Sequence, residues 1–167
     1  SAQFTSFVFG IAVKLHRLVG GNIRLGGTGT FITEACEYTN SFLSFHPTIA
    51  AILNVREDHL DFFKDIDDIR HSFKEFAKLL PESGTLIING EIDDVEELTK
   101  GLSCRVKTFG IHGEGLDYRA ELHDEKRKNE FVIYRDGDRW CDVTLRVPGE
   151  HNVFNALAAA AIADECG

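Results

Sequence analysis

Two nearly uninterrupted apolar runs constrain this chain most: Ile49-Ala50-Ala51-Ile52-Leu53-Asn54-Val55 and Thr85-Leu86-Ile87-Ile88-Asn89. A strand with one wet face alternates apolar and polar residues. A strand covered on both faces does not, and such strands belong to parallel sheets sandwiched between helices. Between the runs, Ile66, Ile69, Phe73, Phe76 and Leu80 recur at steps of three and four, which marks one face of an amphipathic helix. Pro81 and Gly84 stop it. Asp93 to Lys100 reads as a short helix with aspartates at its start and Gly101 after its end, and Arg105–Phe109 as the next strand. Strand, helix, strand, helix, strand predicts an α/β fold: a mostly parallel sheet with crossover helices.

The flanks read differently. Residues 4–19 are apolar with scattered polar positions and suggest a helix. The glycine-rich stretch 20–29 is a loop, and Thr30–Ala35 a short strand. Further on, Tyr118–His123, Glu130–Arg135 and Arg139–Val147 alternate, with Asp136-Gly137 as a tight-hairpin signal between the last two. This predicts a small antiparallel β meander over about residues 116–147. The alanine-rich stretch His151–Cys166, after Pro148-Gly149, is strongly helix-forming.

At 167 residues the chain is expected to form one domain. No apolar run approaches the roughly 20 residues of a membrane-spanning helix. With 18 basic and 27 acidic residues the net charge is −9, which argues against non-specific nucleic-acid binding. Phosphorylated ligands stay open, because backbone N–H groups and cations can hold them. Cys36, Cys104, Cys141 and Cys166 show no C-x-x-C spacing, so reduced thiols and a cytoplasmic location are expected. The chain starts at Ser1 without Met and stops at the close of a helical pattern, as expected of a piece of something longer.

In an open α/β sheet, ligands bind beyond the carboxyl ends of the strands. The strand near Thr33 delivers Glu34 and Glu37 there. The strand at Val55 delivers Asn54, Glu57, Asp58, His59 and Asp61. Carboxylates with a neutral imidazole suit Mg²⁺, or Mn²⁺; as solvated loop charges they would bind nothing. Asn152 and Asn155, three residues apart, share a helix face and could present paired amides to a planar heterocycle such as adenine. Alternatively, Asn152 caps the helix and Asn155 is a surface residue. A G-x-x-x-x-G-K-[ST] phosphate loop and a G-x-S-x-G elbow are both missing. Cys36 stands between Glu34 and Glu37, an acidic setting in which a nucleophilic thiol is not expected.

Four segments, taken in order, resemble the central ATP-binding domain of the Mur ligases. They are Glu34-Ala35-Cys36-Glu37-Tyr38, Ser41-Phe42-Leu43, Asn54-Val55-Arg56-Glu57-Asp58-His59-Leu60-Asp61, and Pro148-Gly149-Glu150-His151-Asn152-Val153-Phe154-Asn155-Ala156-Leu157-Ala158. The resemblance covers about residues 20–167 and is best to the alanine-adding branch. It implies the P-loop-NTPase-like fold of that domain over residues 1–167, truncated before its phosphate loop. It also implies an ATP-dependent ligase activity. A carboxylate is activated as an acyl phosphate, and L-alanine is joined to UDP-N-acetylmuramate in peptidoglycan precursor synthesis.

By the same resemblance Glu34 and His59 are catalytic metal ligands for Mg²⁺, with Mn²⁺ tolerated. Asn152 and Asn155 bind the adenine of ATP, His151 belongs to that motif, and Glu37 and Asn54 line the substrate side. Sister ligases carry a carbamoylated lysine where Phe73 aligns here, with Lys74 next to it. Without the lysine loop and the flanking domains, the isolated chain is expected to be inactive. The alternatives are a fragment of the ligase that attaches a recycled peptide to UDP-N-acetylmuramate, or a non-catalytic nucleotide- or partner-binding module. A sheet lacking its first strand would expose an edge, which predicts a homodimer.

Overall fold

The computed structural model of the chain describes residues 30–123 and 128–167 in full, and the backbone of residues 5–8. These residues form eight strands: β1 (Thr5–Val8), β2 (Thr30–Thr33), β3 (Ile49–Ile52), β4 (Thr85–Asn89), β5 (Arg105–Gly110), β6 (Tyr118–Leu122), β7 (Glu130–Arg135) and β8 (Asp138–Thr144). Among the described residues three α-helices accompany them: α1 (Ile66–Ala77), α2 (Val95–Thr99) and α3 (Glu150–Cys166). A 3₁₀ segment, Tyr38–Ser44, lies between β2 and β3. Strands β3 to β8 make one sheet in chain order, parallel from β3 to β6 and antiparallel from β6 to β8. The expected mostly parallel α/β sheet with an antiparallel meander is therefore present, and the meander continues the main sheet.

Side chains on β3 and β4 alternate between two cores, which is why both strands read as apolar throughout. Ile49, Ala51 and Ile87 face α3, packing with Val153, Leu157, Ala158 and Ala161. Ala50, Ile52, Leu86 and Ile88 face the other way, onto Phe42, Phe76, Ala77 and Leu80. Helix α1 starts where Asp65 accepts the Asp68 backbone N–H at 3.0 Å. Asp67 and Asp68 favour its positive end.

The β5–β6 step departs from the usual crossover, because parallel neighbours ordinarily need a connection of a dozen or more residues. Here only Phe109–Tyr118 and Gly110–Arg119 pair, so β6 begins where β5 ends and a short loop suffices. The β7–β8 turn matches its sequence signal: Asp136 (φ 50°) and Gly137 (φ 88°) both take positive φ, the conformation a two-residue hairpin turn requires.

One expectation needs correction. Residues 5–8, read as part of a helix, form strand β1, parallel to β2. A short run of apolar and β-branched residues cannot be told from a helical one by periodicity alone. The rest of 4–19 and the 20–29 loop lie outside the described residues. Strand β1 runs beside β3 without joining its hydrogen-bond ladder.

Candidate metal and nucleotide site

The chain leaves β2 at Thr33 and turns sharply through Tyr38–Ser44, where Thr39 (φ 56°) and Asn40 (φ 57°) adopt left-handed backbone. Asn visits that region more readily than most residues; its Oδ1 accepts the Ser72 hydroxyl, which ties the turn to α1. The Ser41 hydroxyl donates to the Cys36 carbonyl at 2.8 Å. These contacts hold Glu37 and Tyr38 toward the loop that follows β3.

That loop has its own turn at His59, whose φ is 51°. The His59 carbonyl accepts the N–H groups of Phe62 and Phe63, while the His59 N–H donates to Asp58 Oδ1 at 2.7 Å. The result brings Glu37, Asp58 and His59 together, with one ligand atom of each inside a 4.8 Å span. Glu37 Oε1 lies 3.8 Å from His59 Nε2, and Asp58 Oδ1 lies 4.0 Å from His59 Nδ1. Two carboxylates and an imidazole fit the hard-to-borderline donor set of Mg²⁺ or Mn²⁺.

Glu34 stands outside that trio. Partial burial, and then the negative charge of Glu37, push its carboxyl above the ordinary range. Asn54 is exposed beyond the end of β3 and makes no hydrogen bond among the described residues.

Tyr38 clasps the second loop. Its ring packs on the His59 imidazole at 4.7 Å between centroids, and its hydroxyl donates to Asp61 Oδ2 at 2.9 Å. That hydrogen bond and the Asp61 charge raise the Tyr38 pKa. Phe73 packs edge-on against Phe42 at 5.3 Å. Lys74 Nζ donates to the Glu97 carbonyl at 2.6 Å and its carboxylate at 3.2 Å, which commits it to α2.

The second constellation opens α3. Gly149 has φ 113°, a backbone conformation that favours glycine, and the exposed His151 ring lies close to it. Asn152 donates its side-chain N–H to the Pro148 carbonyl at 2.7 Å. Asn155 is half-buried, and its amide makes no hydrogen bond among the described residues. Glu150 is held by Lys128 and lies 3.7 Å from His112 Nε2; the Lys128 hydrogen bond chiefly keeps its carboxyl below the usual range.

Sequence reasoning missed Tyr38, His112 and Lys128 as neighbours of these constellations. Asp58 was already among the carboxylates placed at this edge by the strand that ends near Val55. The others act through contacts between loops distant in sequence. A cavity of about 770 Å³ lies between the loop 111–117 and the Asp136-Gly137 turn, and no residue chosen from the sequence lines it.

The sequence profile of the Mur ligase middle domain matches residues 13–163. UDP-N-acetylmuramate–L-alanine ligase of Lachnospira eligens is 54% identical over 145 residues, covering 86% of this chain and 32% of the relative. The enzyme of the same name from Agathobacter rectalis is 48% identical over 164 residues, covering 98% and 35%. The chain thus spans about a third of the length of these curated relatives.

Among solved structures, the UDP-N-acetylmuramate:L-alanyl-γ-D-glutamyl-meso-diaminopimelate ligase of Neisseria aligns with a TM-score of 0.72 at 28% identity, over 85% of this chain and 45% of that one. The UDP-N-acetylmuramate–alanine ligase of Thermotoga maritima aligns with a TM-score of 0.71 at 21% identity, over 100% and 42%, a likeness of fold. Motifs, sheet topology and a profile match over most of the chain agree: the chain belongs to the Mur ligase family, as its middle domain.

Proposed function

We propose that this chain is the nucleotide- and cation-binding part of an ATP-dependent ligase that joins L-alanine to UDP-N-acetylmuramate. The observation that carries the reading is 48–54% identity to relatives of that name, over stretches that include the Glu37–Asp58–His59 cluster. In this reading Glu37, Asp58 and His59 hold Mg²⁺ or Mn²⁺, with Glu34 at the margin as a further ligand. The cation, when bound, neutralises phosphate charge during transfer to the acyl acceptor. Asn155 offers its unengaged amide to adenine. Asn152, tied to Pro148, fixes the helix entry, and His151 folds against Gly149 beside it. Asn54 faces the same edge and lines the substrate side.

Two features bear on the alternatives. The peptide-attaching branch draws support from the Neisseria structure, at lower identity than the alanine-adding relatives. Phe73 beside Phe42, with Lys74 turned to Glu97, leaves no free lysine at this position for carbamoylation, as the alanine-adding reading requires. A non-catalytic nucleotide- or partner-binding module is the remaining alternative. On the ligase reading the chain alone does not turn over UDP-N-acetylmuramate. A cytoplasmic location goes with this function; among the described residues no helix is long and apolar enough to cross a membrane. Self-association through the β2 edge is proposed too, and light scattering across a wide concentration range tests it.

Calorimetric titration with Mg²⁺-ATP decides between ligase fragment and binding module, with the full-length Agathobacter rectalis ligase as reference. Much weaker binding by this chain supports the ligase reading. Equal binding favours the module, and turnover of UDP-N-acetylmuramate by the chain alone overturns the expected inactivity.

A further inference from the structure

The Glu37–Asp58–His59 cluster draws its members from two loops that are far apart in sequence. Glu37 follows β2; Asp58 and His59 follow β3. Glu37 stands at the entry to the 3₁₀ segment, and His59 sits on left-handed backbone in a tight turn. Something must fix the distance between the loops if three donors are to meet one cation, since a misplaced ligand forfeits affinity.

Tyr38 is placed to do this. It directly follows Glu37, and it touches three residues of the opposite loop. Its ring lies on the His59 imidazole at 4.7 Å, tilted by 37°. Its hydroxyl reaches Asp61 Oδ2 at 2.9 Å. The Phe62 ring meets it edge-on at 6.1 Å. Aromatic pairs at such separations contribute beyond their buried area, and they restrict ring orientation. Tyr38 is also 39% exposed, too open for an ordinary core residue. The hydrogen bond to Asp61 stops the ring from swinging away into solvent.

We infer that Tyr38 is a positioning residue for the cation site: it holds the His59 ring, and with it the second loop, at the distance from Glu37 that one divalent cation needs. The inference rests on the proposed reading of Glu37, Asp58 and His59 as cation ligands. Tyr38 itself supplies no ligand. It acts as supporting groups do around metal-binding histidines, whose loss costs about 10- to 100-fold in affinity.

The test is Mn²⁺ binding to the 167-residue chain, followed by electron paramagnetic resonance, for the parent, Tyr38→Phe, Tyr38→Ala and His59→Ala. Nuclear Overhauser contacts between ring 38 and the His59 ring protons are recorded without metal. Tyr38→Phe keeps the ring and loses only the Asp61 bond, with no change of charge. It should weaken Mn²⁺ by about threefold, the scale of one lost hydrogen bond. Tyr38→Ala should weaken it by about tenfold or more and release the His59 ring, whose proton shifts move toward solvent-exposed values. Recovery of most of the affinity by Phe relative to Ala is a result that general destabilisation does not produce. Thermal melts and a Tyr38→Leu variant, which retains bulk without a flat ring, guard against unfolding.

If Tyr38→Ala binds Mn²⁺ within twofold of the parent while His59→Ala loses tenfold, Tyr38 does not position the site and the site reading survives. If His59→Ala binds like the parent, the cation reading fails and takes this inference with it.

Discussion

Glu91 Oε1 accepts the backbone N–H of Ile111 at 2.5 Å, and the same oxygen takes the N–H groups of His112 at 2.6 Å and Gly113 at 3.2 Å. One carboxylate oxygen thus fastens the loop after β4 to the loop after β5 on the ligand edge of the sheet. Gly110 makes room for it, since a Cβ there would stand 2.4 Å from Glu91 Oε1. Glu91→Ala should cost about 2 kcal/mol by orphaning these donors, and Glu91→Gln less, because an acceptor oxygen remains. Urea unfolding of the two variants checks the order; equal losses would mean that the charge alone matters.

A second anchor lies nearby. Asp117 accepts the Thr108 N–H at 2.8 Å, the Thr108 hydroxyl at 2.9 Å and Lys107 Nζ at 2.8 Å. Burial alone would push its carboxyl up, but the bonds from Lys107 and Thr108 outweigh that and hold it below the ordinary range. A depressed folded-state value means that Asp117 contributes stability above its unfolded value of about 3.9. That contribution is lost as pH falls through the folded-state value. Asp117→Asn should therefore be less stable than the parent at pH 7 by about 1 kcal/mol, with the gap closing below about pH 4. Parallel urea melts from pH 7 down to pH 3 would show it.

Ala158 has no exposed surface and lies where α3 crosses the sheet, packed with Ile49, Ala51 and Ile87 in one core. Small residues let the helix approach closely. Ala158→Leu should destabilise by about 1–3 kcal/mol through overpacking, which thermal unfolding would register.

The two asparagines of α3 should separate cleanly. Asn152→Ala removes the bond to the Pro148 carbonyl and should cost about 1 kcal/mol of stability. Asn155→Ala removes no bond within the described protein and should leave the melting temperature unchanged. On the proposed reading it weakens Mg²⁺-ATP binding in the full-length relative. Unchanged nucleotide affinity there would remove Asn155 from the adenine site.

Much of this was legible in the residues. The apolar runs at 49–55 and 85–89, the three-and-four spacing from Ile66 and the Asp136-Gly137 pair predicted strands, helix and hairpin that the structure contains. The 3₁₀ turn at Tyr38–Ser44 was not legible, because left-handed backbone at Thr39 and Asn40 leaves no periodic trace. Strand β1 was misread, since its four residues are too few to show a period.

Periodicity and turn chemistry are local properties, so the sequence by itself determined the element types, their order and the edge of the sheet where polar residues gather. Which of those residues meet is a matter of distance between loops, and only the tertiary structure decided it. It set Glu37 and Asp58 beside His59 while Glu34 stayed outside the trio, laid Tyr38 across both loops, and turned Lys74 toward Glu97. Spacing along a chain limits which atoms can approach; packing of the elements on either side selects the few angstroms that make a site.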